Sequence, residues 1–362
     1  MSRIVFILNN VADTRSHKRI QEFMSHGYEV KVYGCQRTGI ALTQKYPYEV
    51  TVFGSFGQNH YLKRLGILLK AIRNILHECR EDDIYYCFGM DNVLAVYLQT
   101  RRRYIYEEAD LSHTYIGKKA IVRFLEWIDK KVIKHSLLTA FTSDGYLEYH
   151  FGGEHPKNSV MIYNKLAPSI LDVPMTPKRK LDIAGLKIGF VGGIRGVTVC
   201  NFAKVIGEHF PQHEVHFYGY VNKVQEQMFA QLKTYSNIFF HGPFTSPVDL
   251  PRIYSQIDMV YATYDAFYEN VRYAEPNKLY EAIYFETPFI VSSHTFLAEK
   301  VKKLGIGFDV DALDDEAICS FLNGLTPQKI EEKKINAAHI DKNYTINENS
   351  AFFEKLKSIL NE

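Results

Sequence analysis

Short continuous apolar runs recur along this chain, each followed by a stretch whose apolar residues have helical spacing, and this alternation is the tightest constraint on its fold. Ile4–Leu8 is apolar throughout, as a strand covered on both faces must be. Thr14–His26 follows with sparse, helically spaced apolar positions and stops at Gly27. Val30–Tyr33, Val50–Phe53, Ile84–Cys87, Arg103–Tyr106 and Leu138–Thr142 repeat the strand pattern, each followed by a helix-like segment. Strands alternating with helices build βαβ units and hence a parallel sheet.

The pattern then restarts. Pro168, Pro174 and Pro177, with the basic run Lys178-Arg179-Lys180, break regular structure and read as a linker. Leu186–Val191 is a new buried strand running into Gly192-Gly193, and Val215–Tyr218, Ile238–Phe240, Met259–Tyr261 and Pro288–Val291 follow it. A length of 362 residues exceeds one ordinary core and suits two domains. The expected architecture is α/β, two Rossmann-like doubly wound parallel sheets over 1–165 and 186–345, joined by a linker over 166–185. Ligands of such sheets bind beyond the carboxyl ends of the strands. Two facing sheets would leave a cleft, so chemistry is sought at strand ends.

Composition removes several classes. Hydrophobic residues at 46% and charged residues at 23% describe a folded chain rather than a disordered one. No apolar run approaches the roughly 20 residues needed to span a bilayer. The opening Met1–Asn10 segment has too short an apolar core for a signal peptide and reads as a strand. Cys35, Cys79, Cys87, Cys200 and Cys319 are scattered without a C-x-x-C pair, which points to reduced thiols in a cytosolic protein and away from structural zinc. Residues 1–165 hold 23 Lys and Arg against 17 Asp and Glu, a net of +6, and the remainder nets −4. A basic first half suits an anionic membrane or a phosphorylated acceptor, and ordinary surface charge explains it equally well. A nearly neutral chain without a nucleic-acid module gives no reason to expect DNA or RNA as partner.

The strongest chemical signal is Glu275-Pro276-Asn277-Lys278-Leu279-Tyr280-Glu281, running on to Pro288-Phe289-Ile290-Val291. Pro276 suits a helix start, so Asn277, Lys278, Leu279 and Glu281 fall in the first turns. Free N–H groups there and a lysine charge suit an anion, and Glu281 can accept from vicinal ribose hydroxyls. Together they describe a nucleoside-diphosphate grip; the plainer alternative is an intrahelical Lys278–Glu281 pair on a surface helix. The second signal is Phe190-Val191-Gly192-Gly193-Ile194-Arg195-Gly196, where glycines permit close backbone approach and Arg195 can clamp two phosphate oxygens. It is neither G-x-G-x-x-G nor a P-loop. Tyr218 and Pro243 sit in strand-end turns that can line a base pocket, or are simply turns.

In these features the second half resembles the donor domain of GT-B glycosyltransferases, especially the large retaining group around family 4. That group opens its donor domain with a strand and a Gly-x-x-Arg loop. It later carries a Pro-x-Lys-x-x-Glu helix followed by a Pro–Val/Ile–Ile strand. Gly192–Arg195, Pro276–Glu281 and Pro288–Val291 match in that order, and Gly305-Ile306-Gly307 resembles the group's late Gly-x-Gly turn. Asp13-Thr14-Arg15, Gly27–Val30 and Tyr163-Asn164 resemble its first-half landmarks. The resemblance implies a GT-B fold whose last helix, within 346–362, crosses back to the first domain. It also implies a nucleoside-diphosphate sugar donor, no cofactor and no required metal. The donor would be held by Gly192, Gly193, Arg195, Tyr218, Pro243, Asn277, Lys278, Leu279 and Glu281. Two departures stand out: Tyr273 lies eight before Glu281, where the group often has an acid, and Gly196-Val197-Thr198 replaces a lysine that often follows the loop arginine.

A candidate catalytic segment is Tyr106-Glu107-Glu108-Ala109-Asp110-Leu111-Ser112-His113, just past a strand. Proton transfer from an acceptor hydroxyl needs a carboxylate or histidine, and Glu107, Asp110 and His113 are placed for it, unless they merely start the next helix. Asp91 is a lesser candidate. Asp309-Val310-Asp311 mimics a metal-binding pair but reads as a turn after Gly307, and no other spacing argues for a metal. Lys63, Arg64, Lys70 and Arg73, then Lys118, Lys119, Arg123, Lys130, Lys131 and Lys134, recur along amphipathic stretches that can lie on anionic lipid or be ordinary solvated faces. The expected function is transfer of a sugar to a hydroxyl of a glycan or lipid-linked acceptor in bacterial surface polysaccharide synthesis, in the cytoplasm or at the inner face of the membrane. The alternatives are a GT-B sugar-nucleotide epimerase and a non-catalytic binding protein.

Overall fold

The structure is a computed structural model that describes residues 3–37, 46–56 and 61–361. By their contacts these residues form two compact units, Met1–Ile162 with Asn349–Glu362, and Tyr163–Glu348.

In the first unit the strands are β1 (Arg3–Leu8), β2 (Glu29–Arg37), β3 (Val50–Phe56), β4 (Ile84–Phe88), β5 (Tyr104–Glu108), β6 (Leu138–Phe141) and β7 (Ser159–Met161). Among the described residues they form one parallel sheet in the order β3-β2-β1-β4-β5-β6-β7. Chain order reverses between β1 and β4. The expected strands are all present; β7 was not expected, because three residues carry too little pattern to register. The helix Thr14–Ser25 starts at Asp13, whose carboxylate accepts from the Ser16 amide. It ends before Gly27, whose φ of +83° suits glycine.

Phe23 on that helix is the hub of the first core. Its ring lies 5.3 Å from Phe6, 5.4 Å from Tyr86, 5.7 Å from Phe352 and 5.0 Å from Phe353, mostly edge to face. The last two belong to the helix Ser350–Leu360, so this unit is completed by residues made almost two hundred positions later. Asn349 Nδ2 donates to both Glu22 oxygens, and Lys355 Nζ to the Ser159 carbonyl, fastening that helix at its edges.

The second unit's strands are β8 (Lys187–Val191), β9 (Glu214–Tyr218), β10 (Ile238–Gly242), β11 (Met259–Ala262), β12 (Phe289–Ser292) and β13 (Gly307–Val310). They are parallel, in the order β10-β9-β8-β11-β12-β13, and the order reverses between β8 and β11. Alternate residues serve two cores. Phe190, Phe217 and Tyr261 join the one under the helix Val197–His209; Val191, Tyr218 and Val260 join the one under Asn277–Tyr284. The stretch 166–185, expected as a linker, is packed onto this unit. Ile170 is fully buried, Arg179 pairs with Asp258, and Lys178 Nζ donates to the Glu286 carbonyl and Thr287 Oγ1. Asp309 lies within β13 and pairs with Lys302 at 2.9 Å, while Asp311 accepts from the Leu313 amide in the turn beyond.

The cysteines are free, four of them buried. No described helix is long and apolar enough to cross a membrane. Lys63 and Arg64 have side chains outside the described residues; on the same helix, Tyr61–Glu78, Leu68 and Ile72 are buried while Lys70 and Arg73 are exposed.

Replacing Phe23 by Ala removes the hub from five neighbouring rings, Tyr28 at 5.4 Å included, and is expected to cost the first unit roughly 3–5 kcal/mol. Amide hydrogen exchange checks this: protection should fall in β1 and β4 and stay unchanged in β8 and β11.

Candidate functional site

Ligands of open parallel sheets collect beyond the strand ends where strand order reverses. In the second unit that point lies past Val191 and Ala262. The β8 turn is built by close backbone approach. Gly192 has a φ of +121° and donates its N–H to the Tyr218 carbonyl at 2.8 Å. Gly219, at +136°, comes so near that an added Cβ would stand 2.0 Å from the Gly192 carbonyl oxygen. Both positions therefore require glycine. Gly193 and Arg195 are exposed, and Arg195 makes no ion pair among the described residues. Gly196 donates to Gln225 Oε1 at 2.9 Å and opens the helix Val197–His209. The first turn of that helix is capped by Asp265, which accepts from the Thr198 amide at 2.9 Å and hydroxyl at 2.8 Å.

Across this turn stands the helix Asn277–Tyr284, with Pro276 as its N-cap residue rather than its first turn. Asn277 is exposed and Leu279 is fully buried in the core. Lys278 is only 6% exposed. Its Nζ donates to the Tyr264 hydroxyl at 2.8 Å, lies 4.3 Å from the centroid of the Phe190 ring, and would be 3.1 Å from a Cβ placed on Gly192. It forms no ion pair among the described residues, so the intrahelical pair with Glu281 is not made. Glu281 is buried and accepts from the Tyr254 hydroxyl at 2.7 Å. Burial, reinforced by the Glu281 charge, pushes the Tyr254 hydroxyl well above its ordinary pKa and keeps it a donor. Glu275 is held by Lys300 at 2.8 and 2.9 Å and by the Tyr280 hydroxyl at 3.0 Å, which makes it a structural acid.

Gly192, Lys278 and their neighbours Phe190 and Tyr264 thus meet at one strand end. Tyr218 is buried, its ring stacked 4.3 Å from His241, and Pro243 is exposed in the turn after β10. Tyr264 and Asp265 were not singled out in the sequence; they follow β11, and the strand-end rule applied there would have found them. Gly307 serves the sheet itself, since an added Cβ would stand 1.9 Å from the Phe289 carbonyl.

The three catalytic candidates of the first unit part company. Asp110 is exposed. Glu107 is fully buried: Arg19 Nε donates to its Oε2 at 3.1 Å, the Tyr86 hydroxyl donates to the same oxygen, and Arg15 Nε lies 3.9 Å from Oε1. Burial is the largest influence on Arg19 and opposes its charge, but Glu107, Tyr86 and Glu22 together outweigh it and raise the pKa above the ordinary arginine value. Glu107 is therefore the counter-charge of two arginines, set by a helix more than eighty residues earlier in the chain. His113 is also buried, 1% exposed; burial and the neighbouring His150 push its pKa down to about 4. Neither Glu107 nor His113 reaches the surface.

No known family model matches the chain, and no curated protein matches it in sequence. Solved structures do resemble it. HepE from Anabaena, in complex with UDP and glucose, has 15% identity and a TM-score of 0.66, over 99% of this chain and 100% of that one. Sucrose-phosphate synthase from Thermosynechococcus elongatus has 10% identity and a TM-score of 0.70, over 99% and 98%. The lipopolysaccharide outer core galactosyltransferase WaaB has 16% identity and a TM-score of 0.63, over 99% of each chain. Likeness at such identities speaks for architecture, and with two parallel-sheet α/β units this chain has the GT-B fold of glycosyltransferases.

Proposed function

We propose that this chain is a glycosyltransferase that moves a sugar from a nucleoside-diphosphate sugar to a hydroxyl of a glycan or lipid-linked acceptor, in bacterial surface polysaccharide synthesis. The observation that carries the reading is Lys278, a buried ammonium with no carboxylate beside it, at the switch point of a parallel sheet. A cation so placed is completed by an anion from outside, and a diphosphate supplies one with two charged groups. HepE, described with UDP and glucose, supports a UDP-sugar as donor.

Lys278 and Arg195 neutralise the diphosphate, and stabilising that leaving group is the main electrostatic task in such a transfer. Gly192 and Gly193 let the backbone approach it, and Asn277 and Leu279 bring the amides of the helix start. Glu281, oriented by Tyr254, accepts from the ribose hydroxyls. Tyr218 and Pro243 border the base. Of the catalytic candidates, Asp110 is the exposed carboxylate suited to take the acceptor proton; Glu107 holds Arg15 and Arg19 in place.

Thermal melting against nucleoside diphosphates and their sugars checks the donor reading. At about 100 times its dissociation constant a ligand should add roughly 2.7 kcal/mol of stability. The shift should vanish in Lys278→Ala and Arg195→Ala, and no shift with any nucleotide would overturn the reading. Conversion of donor without acceptor would favour the epimerase alternative.

The membrane-facing part of the reading rests on the helix Lys119–His135. Ile121, Phe124 and Trp127 are three apart and 42%, 59% and 52% exposed. Lys118, Lys119, Arg123, Lys131 and Lys134 are exposed beside them, with Lys131 Nζ 3.8 Å from the centroid of the Trp127 ring. Apolar side chains set among cations match an anionic lipid surface. Trp127 is the single tryptophan of the chain, so its emission reports directly on this helix. Vesicles containing phosphatidylglycerol should shift that emission to the blue and carry the protein in flotation. Phosphatidylcholine vesicles and the Phe124→Ser variant should do neither.

A further inference from the structure

The first unit encloses a second group of ionisable side chains, unrelated to the nucleotide grip. Glu108 ends β5, Asp129 lies in the helix Lys119–His135, His150 in the helix Asp144–Phe151, and His113 in the short turn Ser112–Ile116. They are 0%, 1%, 5% and 1% exposed. One ligand atom each from Glu108, Asp129 and His150 lies within 4.8 Å of the other two.

The group is short of hydrogen-bond donors: beside Asp129 the Tyr106 hydroxyl is buried and also without a partner. His150 Nε2 and Glu108 Oε1 are 2.8 Å apart, and no other carboxylate oxygen here has a partner. Glu108 Oε2, both Asp129 oxygens and His113 Nδ1 are all buried and unsatisfied. Buried polar atoms without partners are costly, more so when charged, so four in one place call for an explanation. Protonating His150 supplies one positive charge against two carboxylates. A dication brings the four residues to neutrality and gives each orphaned ligand residue a bond. It does not relieve His150 Nδ1, which also lacks a partner.

The spacing fits. His150 Nε2 to Glu108 Oε1 is 2.8 Å, His113 Nδ1 to Asp129 Oδ2 is 3.4 Å, and His150 Nε2 to Asp129 Oδ2 is 3.9 Å. Tetrahedral zinc with bonds of about 2.0–2.1 Å sets its ligand atoms about 3.4 Å apart. Two carboxylates and an imidazole form a donor set that zinc accepts, and His113, 3.4 Å from Asp129, would close the fourth position by a small shift of its ring. His113 Nε2 lies 3.4 Å from the Tyr149 hydroxyl, an outer contact of the kind that orients a metal-bound imidazole.

We propose that Glu108, Asp129, His150 and His113 form a closed, buried site for a divalent transition metal, with zinc as the fitting ion, that cross-links β5 to the two helices beyond it. The site is structural and makes no demand on the sugar-transfer reading.

The test uses the full chain, produced with zinc in the medium and purified without chelator. Elemental analysis should find about one zinc per chain, and stripping followed by zinc addition should lower and then restore the melting temperature. Asp129→Asn should hold less than about a tenth of the metal and lose the zinc-dependent shift. Should Asp129→Asn fail to fold, cobalt(II) in the stripped wild type gives a second reading. Tetrahedral coordination should produce visible absorption that weakens or changes in His113→Gln. Wild-type protein that takes up neither zinc nor cobalt and melts the same with or without them would overturn the site, leaving the carboxylates to share protons instead. Undiminished zinc in Asp129→Asn would also overturn it, by placing the metal elsewhere.

Discussion

An ammonium group buried without a counter-charge is the constraint on which the second unit turns. Taking such an ion out of water carries an effective cost of several kcal/mol, and the chain returns only part of it. The Tyr264 hydroxyl accepts one hydrogen bond from Lys278, and the Phe190 ring adds a cation–π contact worth about 0.5–2 kcal/mol. Glycine backbone lies beside the ammonium. Gly192 leaves room at the ammonium, and Gly219 allows Gly192 to lie where it does. Lys278 is thus a buried cation held by one hydroxyl and one ring, beside backbone that carries no side chains.

Two buried acids of the first unit, Glu107 and Asp83, are treated in the opposite manner. Arg19 and Tyr86 both donate to Glu107 Oε2, with Arg15 charged nearby on the Oε1 side, and Asp83 is gripped at both oxygens by Arg3. Such pairs are weak evidence for stability, since their Coulomb gain offsets desolvation only approximately. What they do supply is register. Arg3 and Asp83 tie β1 to the start of β4, and Arg19 and Glu107 tie the first helix to β5, so each pairing is satisfied in one arrangement of the sheet.

The fold was legible in the chain because a parallel sheet covered on both faces must be written as continuous apolar runs, and Ile4–Leu8 or Leu186–Val191 can hardly be read otherwise. Lys278 was legible for a different reason: proline, lysine and glutamate at that spacing put a charge at a helix start. Its isolation from carboxylates was not, because that depends on everything packed around it. Glu107 shows the limit from the other side. An acid at a strand end reads as chemistry until Arg15 and Arg19 are brought against it from a distant helix. Prolines 168, 174 and 177 pointed to irregular backbone, though Pro168 opens the short helical turn Pro168–Asp172. Yet irregular backbone can still be packed, and Ile170 and Arg179 anchor that stretch. Glu108, Asp129 and His150 lie too far apart in sequence for any spacing rule to join them.

The placement of Phe352 and Phe353 against Phe23 bears on how the molecule is made. At about 5–20 residues per second, the ribosome needs about 10–40 s to add the residues between Ile162 and Asn349. Throughout that interval the first unit is present with one wall of its core missing, while the second unit, continuous in sequence, can close as it emerges. The part synthesised first is thus the part finished last, and a chain halted before Phe352 would show chaperones a lasting aromatic face around Phe23.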